Sequence, residues 1–220
     1  MARRLRGAAG LCKVGSQLFT AEGPKAVEKI AKLGFGVFLD LKFHDIPNTV
    51  AGAVAAAAKL PGVQLLTLHT LGGVEMMRAA VSAVGPAGKK KRPALLGVTI
   101  LTSHDAGTLR SVGISGSPAS RALALARLAK KAGLDGVVAS AHEAAAIRAA
   151  CGAGFLIVVP GVRPANAWAN DQSRVATPAA AIRSGADYLV VGRPITGAAN
   201  PRGAAIAIVE EIAAGDKVRG

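Results

Sequence analysis

Short apolar runs bounded by Gly, Pro and polar residues alternate along this chain with Ala-rich stretches of helical spacing. Leu11 to Gly15 is the first credible strand, with Lys13 inside it. Gly23-Pro24 opens a helix to Leu33, in which Val27, Ile30, Ala31 and Leu33 recur at helical spacing and Gly34 supplies the stop. Gly36 to Leu41 is mostly apolar and β-favouring, and reads as a buried strand. Asn48 to Leu60 then predicts a helix, Val63 to His69 a strand and Gly72 to Val84 a helix. After a basic loop, Ala94 to Leu101 is a strand ending in Thr102-Ser103. Asp105 to Val112 is a short extra helix, and Ser117 to Ala132 a long one stopped by Gly133. Leu134 to Ser140, Glu143 to Ala150 and Phe155 to Val159 continue the strand, helix, strand order. Pro160 to Arg174 is a polar loop, followed by a helix from Pro178 to Ser184, a strand from Asp187 to Val191 and a C-terminal helix from Pro201 to Ala214.

This gives seven buried strands, each followed by a helix, as in a parallel α/β sheet. A doubly wound sheet and a (β/α)8 TIM barrel both fit that order. Polar residues decide between them. Lys13, Asp40, Lys42, His69, Thr102, Ser103, Ser140, Arg163 and Arg193 lie in strands or just past their C-terminal ends, spread over every unit. A doubly wound sheet concentrates its site at one switch point, whereas a barrel gathers all its strand ends at one mouth. The expectation is a (β/α)8 barrel with seven βα units evident, the missing first strand and helix belonging at the N-terminus.

The chemistry centres on Phe38-Leu-Asp-Leu-Lys-Phe-His-Asp-Ile-Pro-Asn-Thr49. A period of two places Asp40 and Lys42 on one face of the strand. Asp45 follows three residues later, Pro47 ends the ladder, and Asn48 or Thr49 offers a helix cap. Two carboxylates beside one ammonium favour its charged form, which suits a proton donor or a cation clamp. A Schiff-base lysine would want the opposite environment. A buried ion-pair network that closes the barrel is the structural alternative.

Composition changes this picture little. At 220 residues the chain suits one large domain, and with only 3% aromatic residues its core must come from Val, Leu, Ile and Ala. No apolar run of about 18 residues is free of charge, so no membrane span is expected. The basic start is interrupted by Lys13 before any secretory h-region develops, which points to the cytoplasm. Cys12 and Cys151 are far apart and in no metal-ligand spacing. His69, His104 and His142 likewise lack acidic or cysteine partners at ligand spacing, so no metal is expected. The net charge of +14 is dispersed, with its densest run at Lys89-Lys-Lys-Arg92, and so few aromatics cannot stack many bases. No nucleic-acid partner is expected.

Gly192-Arg193 follows the last strand, where barrels often hold phosphate through loop amides, a short helix N-terminus and a basic side chain; a solvated arginine is the plainer reading. Arg163 and Gln172 lie in a loop long enough to be a lid. Thr102-Ser103 offers hydroxyls and amides for a polar heterocycle, or a cap for the following turn.

These residues together resemble the orotidine 5'-phosphate decarboxylase family. The main motif is joined by Lys13-Val-Gly15 with Phe19, Leu101-Thr-Ser103, Gly133-Leu-Asp-Gly-Val-Val138, Pro160-Gly-Val-Arg-Pro164, Asp171-Gln172 and Val191-Gly-Arg-Pro194. The resemblance covers residue 11 to the C-terminus, leaving 1–10 as a basic segment outside it. It implies decarboxylation of orotidine 5'-phosphate to UMP, in pyrimidine synthesis, without metal or organic cofactor. By position, Lys13, Asp40, Lys42 and Asp45 would form an alternating charged array, with Lys42 the proton donor and Asp45 reaching into the other subunit of a homodimer. Lys13, Asp40 and Thr49 would contact substrate, Thr102 and Ser103 the pyrimidine, Arg163 the lid region, and Gln172, Gly192 and Arg193 the phosphate. The family's first strand, ending in an aspartate that contacts ribose, is not found here. The chain as written is therefore expected to be weakly active or poorly soluble, and upstream residues to repair it. The alternatives are a metal-assisted sugar-phosphate decarboxylase of the same superfamily, which shares Asp-x-Lys-x-x-Asp, and a UMP- or phosphate-binding module without turnover.

Overall fold

The computed structural model describes residues 1–85, 92–164 and 176–216. The described residues hold seven strands, β1 (Leu11–Gly15), β2 (Gly36–Phe43), β3 (Val63–His69), β4 (Ala94–Val98), β5 (Gly136–Val138), β6 (Leu156–Pro160) and β7 (Tyr188–Val190). Helices fill the intervals: α1 (Ser16–Glu22) and α2 (Pro24–Lys32) after β1, α3 (Pro47–Ala58) after β2, and α4 (Gly73–Val84) after β3. Then come α5 (Ala106–Ser111) and α6 (Pro118–Ala132), α7 (Ala141–Cys151), α8 (Pro178–Arg183), and α9 (Arg193–Thr196) with α10 (Pro201–Asp216). This is the βα alternation expected of a (β/α)8 barrel with seven units evident. Among the described residues no helix is long and apolar enough to cross a membrane. The chain divides into two compact units.

The unit made of Ala2–Val98 and Leu128–Gly136 carries β1 to β4. β1 and β2 pair in parallel from Leu11↔Gly36 to Gly15↔Asp40, and β3 and β4 from Leu65↔Ala94 to His69↔Val98. Leu39, Leu66, Leu68 and Leu95 are fully buried, as continuous apolar strands of a parallel sheet should be. α3, which buries Val50, Val54 and Ala57, packs against α4, which buries Met76, Met77 and Ala80. At the start, a short 3-10 helix (Ala2–Leu5) buries Leu5, and Arg6 Nε donates to the Leu33 carbonyl at 3.0 Å, beyond the end of α2. α1 buries no residue, so it left no apolar stripe for sequence reading to detect.

The other unit, Thr99–Arg127 with Val137–Gly220 and Met1, holds the later elements. Ile100, Leu109 and Ala122 form a small apolar cluster. α7 starts with a capping box, Ser140 accepting from His142 N–H while Glu143 accepts from Ser140 N–H at 2.8 Å. β6 and β7 pair in parallel, and α8 packs on α10.

Each unit contains the same clasp between neighbouring strand starts. Arg92 binds Asp135 through two bonds of 2.8 and 2.6 Å, and Asp135 also accepts Leu95 N–H at 2.7 Å. In the second unit Arg148 meets Asp187 at 2.5 Å, and Asp187 accepts Ile157 N–H at 2.7 Å. Both aspartates sit in a Gly-x-Asp turn just before a strand, so the carboxylate lies beside the preceding strand's first amides.

Candidate active site

β2 delivers the charged residues. Leu39 is fully buried and Asp40, the next residue, is only 8% exposed. A carboxylate at that depth needs partners. Lys42 Nζ approaches both its oxygens, at 2.8 Å from Oδ1 and 2.9 Å from Oδ2. Lys13 Nζ, from β1, donates to Oδ2 at 3.0 Å, and the buried Thr67 hydroxyl, from β3, donates to Oδ1 at 3.1 Å. These bonds occupy the acceptor sites of both oxygens. Burial pushes the Asp40 carboxyl upward, but the Lys42 hydrogen bond, the charges of Lys13 and Lys42 and the Lys13 hydrogen bond outweigh it. They hold the group below its ordinary value.

Asp40 and Lys42 meet, though not by simple alternation. The β2–β3 register breaks between Leu39 and Phe43, and Lys42 has φ +52°, the left-handed region that side chains with a Cβ seldom adopt. Among the described residues it alone does so without being glycine. The Lys42 amide is turned to donate to Thr67 Oγ1 at 2.9 Å. Strain of this kind gathers at functional sites. On the other flank Gly15 pairs with Asp40 in register, and a Cβ there would lie 2.8 Å from Lys13 Nζ. The missing side chain is what lets Lys13 reach the carboxylate.

Asp45 is exposed, and its Oδ1 accepts the Ile46 amide at 2.6 Å. Within one chain, then, the array is Lys13, Asp40 and Lys42. Thr49 is exposed in the first turn of α3. Neither Asn48 nor Thr49 caps that helix, contrary to expectation: Ile46 is the cap residue and Pro47 the first helical position, where a fixed φ and no N–H make a side-chain cap less necessary. His44 stacks on His69 with ring centroids 5.4 Å apart.

The other expected residues belong to the second unit. Thr102 and Ser103 form a turn after β4, and the cap of α5 is Asp105, whose Oδ1 accepts Thr108 N–H at 2.7 Å. Arg163 is buried, its amide donating to the Ala176 carbonyl at 3.0 Å. Gly192 caps α9, accepting Ile195 and Thr196 amides at 2.9 and 3.0 Å, while Arg193 is exposed. That four-residue helix was missed in the sequence because nothing in it is buried. Gln172 lies outside the described residues. Among the described residues no group of three or more His, Cys, Asp or Glu could hold a metal ion.

Thr67 was not singled out in the sequence, and Gly15 was noted only as part of the Lys13-Val-Gly15 motif, without a role at the site. Thr67 had one available signal: it is a hydroxyl between two leucines in β3, two residues before His69 and so on the same face.

Residues 1–208 match the model of the orotidine 5'-phosphate decarboxylase / HUMPS family. The chain belongs to this family. An orotidine 5'-phosphate decarboxylase from Halorhodospira halophila is 57% identical over 202 residues, which cover 92% of this chain and 84% of the relative. Another, from Geobacter sulfurreducens, is 57% identical over 215 residues, 97% of this chain and 90% of the relative. Among solved structures, orotidine 5'-phosphate decarboxylase from Lactobacillus acidophilus matches with a TM-score of 0.79 at 41% identity, covering 91% of this chain and 85% of that one. The fold is that of the family, a (β/α)8 barrel.

Proposed function

We propose that this chain decarboxylates orotidine 5'-phosphate to UMP, the final step of pyrimidine nucleotide synthesis, with Lys42 as the proton donor. The observation that carries the reading is the Lys13–Asp40–Lys42 array, in which one buried carboxylate holds two ammoniums at 2.8 to 3.0 Å. The C6–carboxylate bond breaks, carbon dioxide departs and the bonding electrons remain on C6. The Lys42 ammonium, fixed beforehand by Asp40, stabilises that charge and then transfers a proton from Nζ to C6. Solvent restores the lysine proton. Fixing the ammonium before reaction avoids reorganisation at the moment charge develops.

Asp45 completes the array of a neighbouring subunit. Supporting this, His44 to Thr49 form an exposed run on one chain, with Ile46 66% exposed at its centre. Thr49 contacts substrate, Thr102 and Ser103 face the pyrimidine, Arg163 serves the lid region, and Gln172, Gly192 and Arg193 hold the phosphate. The phosphate is remote from C6, so its binding energy drives closure rather than adding equally to ground and transition states. The protein acts in the cytoplasm as a homodimer, and uses no metal or organic cofactor.

The test is the fall in orotidine 5'-phosphate absorbance with purified protein, in buffer containing a chelator. Conversion to UMP at an undiminished rate is expected. No conversion overturns the reading in favour of a binding module without turnover, and conversion only after divalent metal is added overturns it in favour of metal-assisted chemistry.

A further inference from the structure

We infer that Thr67 is a positioning residue for the proposed reaction: its one hydroxyl sets both the backbone of Lys42 and the carboxylate of Asp40. Between the pairs Leu39↔Leu66 and Phe43↔Leu68, β2 advances four residues while β3 advances two. Thr67 is therefore the single β3 residue opposite Asp40, Leu41 and Lys42. It is wholly buried, so its hydroxyl must find its partners within the protein. An ionised carboxylate only accepts hydrogen bonds, so the Thr67 proton goes to Asp40 Oδ1 (3.1 Å) and its lone pair receives the Lys42 amide (2.9 Å). The left-handed turn at Lys42 would otherwise leave a strand amide without its ladder partner. Held there, the lysine side chain lies against Asp40 with its ammonium on both carboxylate oxygens. Asp40 and Lys42 are thus tied twice, ammonium to carboxylate and amide to carboxylate through the hydroxyl.

The inference rests on the assignment of Asp40 and Lys42 to decarboxylation, so its test has one readout that needs turnover and one that does not. Thr67→Val keeps the shape and deletes the hydroxyl; Thr67→Ser keeps the hydroxyl. We expect Thr67→Val to lose about 10²-fold in kcat through misplacement of the lysine, with KM changed by no more than about threefold. Thr67→Ser should recover most of that loss. Independently, amide hydrogen exchange followed by NMR should show Lys42 losing protection in Thr67→Val while Leu39 keeps it. If Thr67→Val does not fold, Thr67→Ala takes its place in both measurements. A Thr67→Val protein with wild-type kcat and unchanged Lys42 protection overturns the inference, as does a Thr67→Ser protein no better than Thr67→Val. If the wild type itself does not turn over substrate, the functional reading fails, and amide exchange alone decides the positioning role.

Discussion

Replacing Asp40 by Asn preserves the side chain's shape and removes the charge that two lysines share. At about 3 Å and an effective dielectric near 20, each attraction would be about 5 kcal/mol before solvent is considered. The Lys13 and Lys42 side chains are 39% and 37% exposed, so water screens most of this and leaves about 1 kcal/mol per pair for stability. The catalytic loss should be larger. Without Asp40 the ammoniums lose their common anchor and repel each other, and loss of one preorganised electrostatic element costs about 10²–10³ in rate. We expect Asp40→Asn to lower kcat/KM by about 10³-fold or more, while its thermal melt by circular dichroism falls only a few degrees. The assay is the initial rate of orotidine 5'-phosphate loss. A folded Asp40→Asn protein within about tenfold of wild-type kcat/KM would mean that turnover does not depend on this shared charge. The lysine–aspartate cluster would then be a structural ion-pair network.

Other outcomes follow from the same geometry. Gly15→Ala puts a Cβ 2.8 Å from Lys13 Nζ; the flexible amine will move aside, so activity should fall with little loss of melting temperature. Asp40 has a depressed folded pKa, so its stabilisation is complete above the unfolded carboxylate value of about 3.9 and is lost as pH drops through the lower folded one. The melting-temperature gap between wild type and Asp40→Asn should hold from neutral pH down to about 5 and close below about 4. Arg92→Ala strands Asp135 in a clasp only 7% and 15% exposed, and should cost about 3–5 kcal/mol in denaturant unfolding with kcat unchanged. If Asp45 crosses between subunits, mixing and refolding Lys42→Ala with Asp45→Ala should restore about a quarter of wild-type activity, because half the random dimers carry one intact site of two. Mixtures as inactive as their parents would place Asp45 in its own subunit.

What was legible in the sequence was what leaves a periodic or chemical trace. The strands of this sheet are continuous apolar runs, and β1 and β3 match their expected bounds residue for residue. Lys13, Asp40 and Lys42 announced themselves as charges in such runs. Less visible were features whose reason lies in another strand. Gly15 looks like any strand-ending glycine until Asp40 of β2 draws Lys13 across it, and Thr67 like a β-favouring residue until the bulge in β2 places an amide and a carboxylate on its hydroxyl. The bulge itself was invisible: strict alternation also brings Asp40 and Lys42 to one face, so a correct juxtaposition concealed the left-handed lysine that produces it. α1 and α9 bury nothing and so lack the stripe by which helices are recognised.

In the proposed reaction the Lys42 ammonium supplies the proton that replaces carbon dioxide at C6. The most direct test of this step is UMP formation by Lys42→Ala against wild type, measured as product by chromatography on folded protein. Loss of both general-acid and electrostatic roles predicts a fall in kcat of about 10⁴-fold or more. A folded Lys42→Ala protein that forms UMP within about tenfold of the wild-type rate would contradict the account.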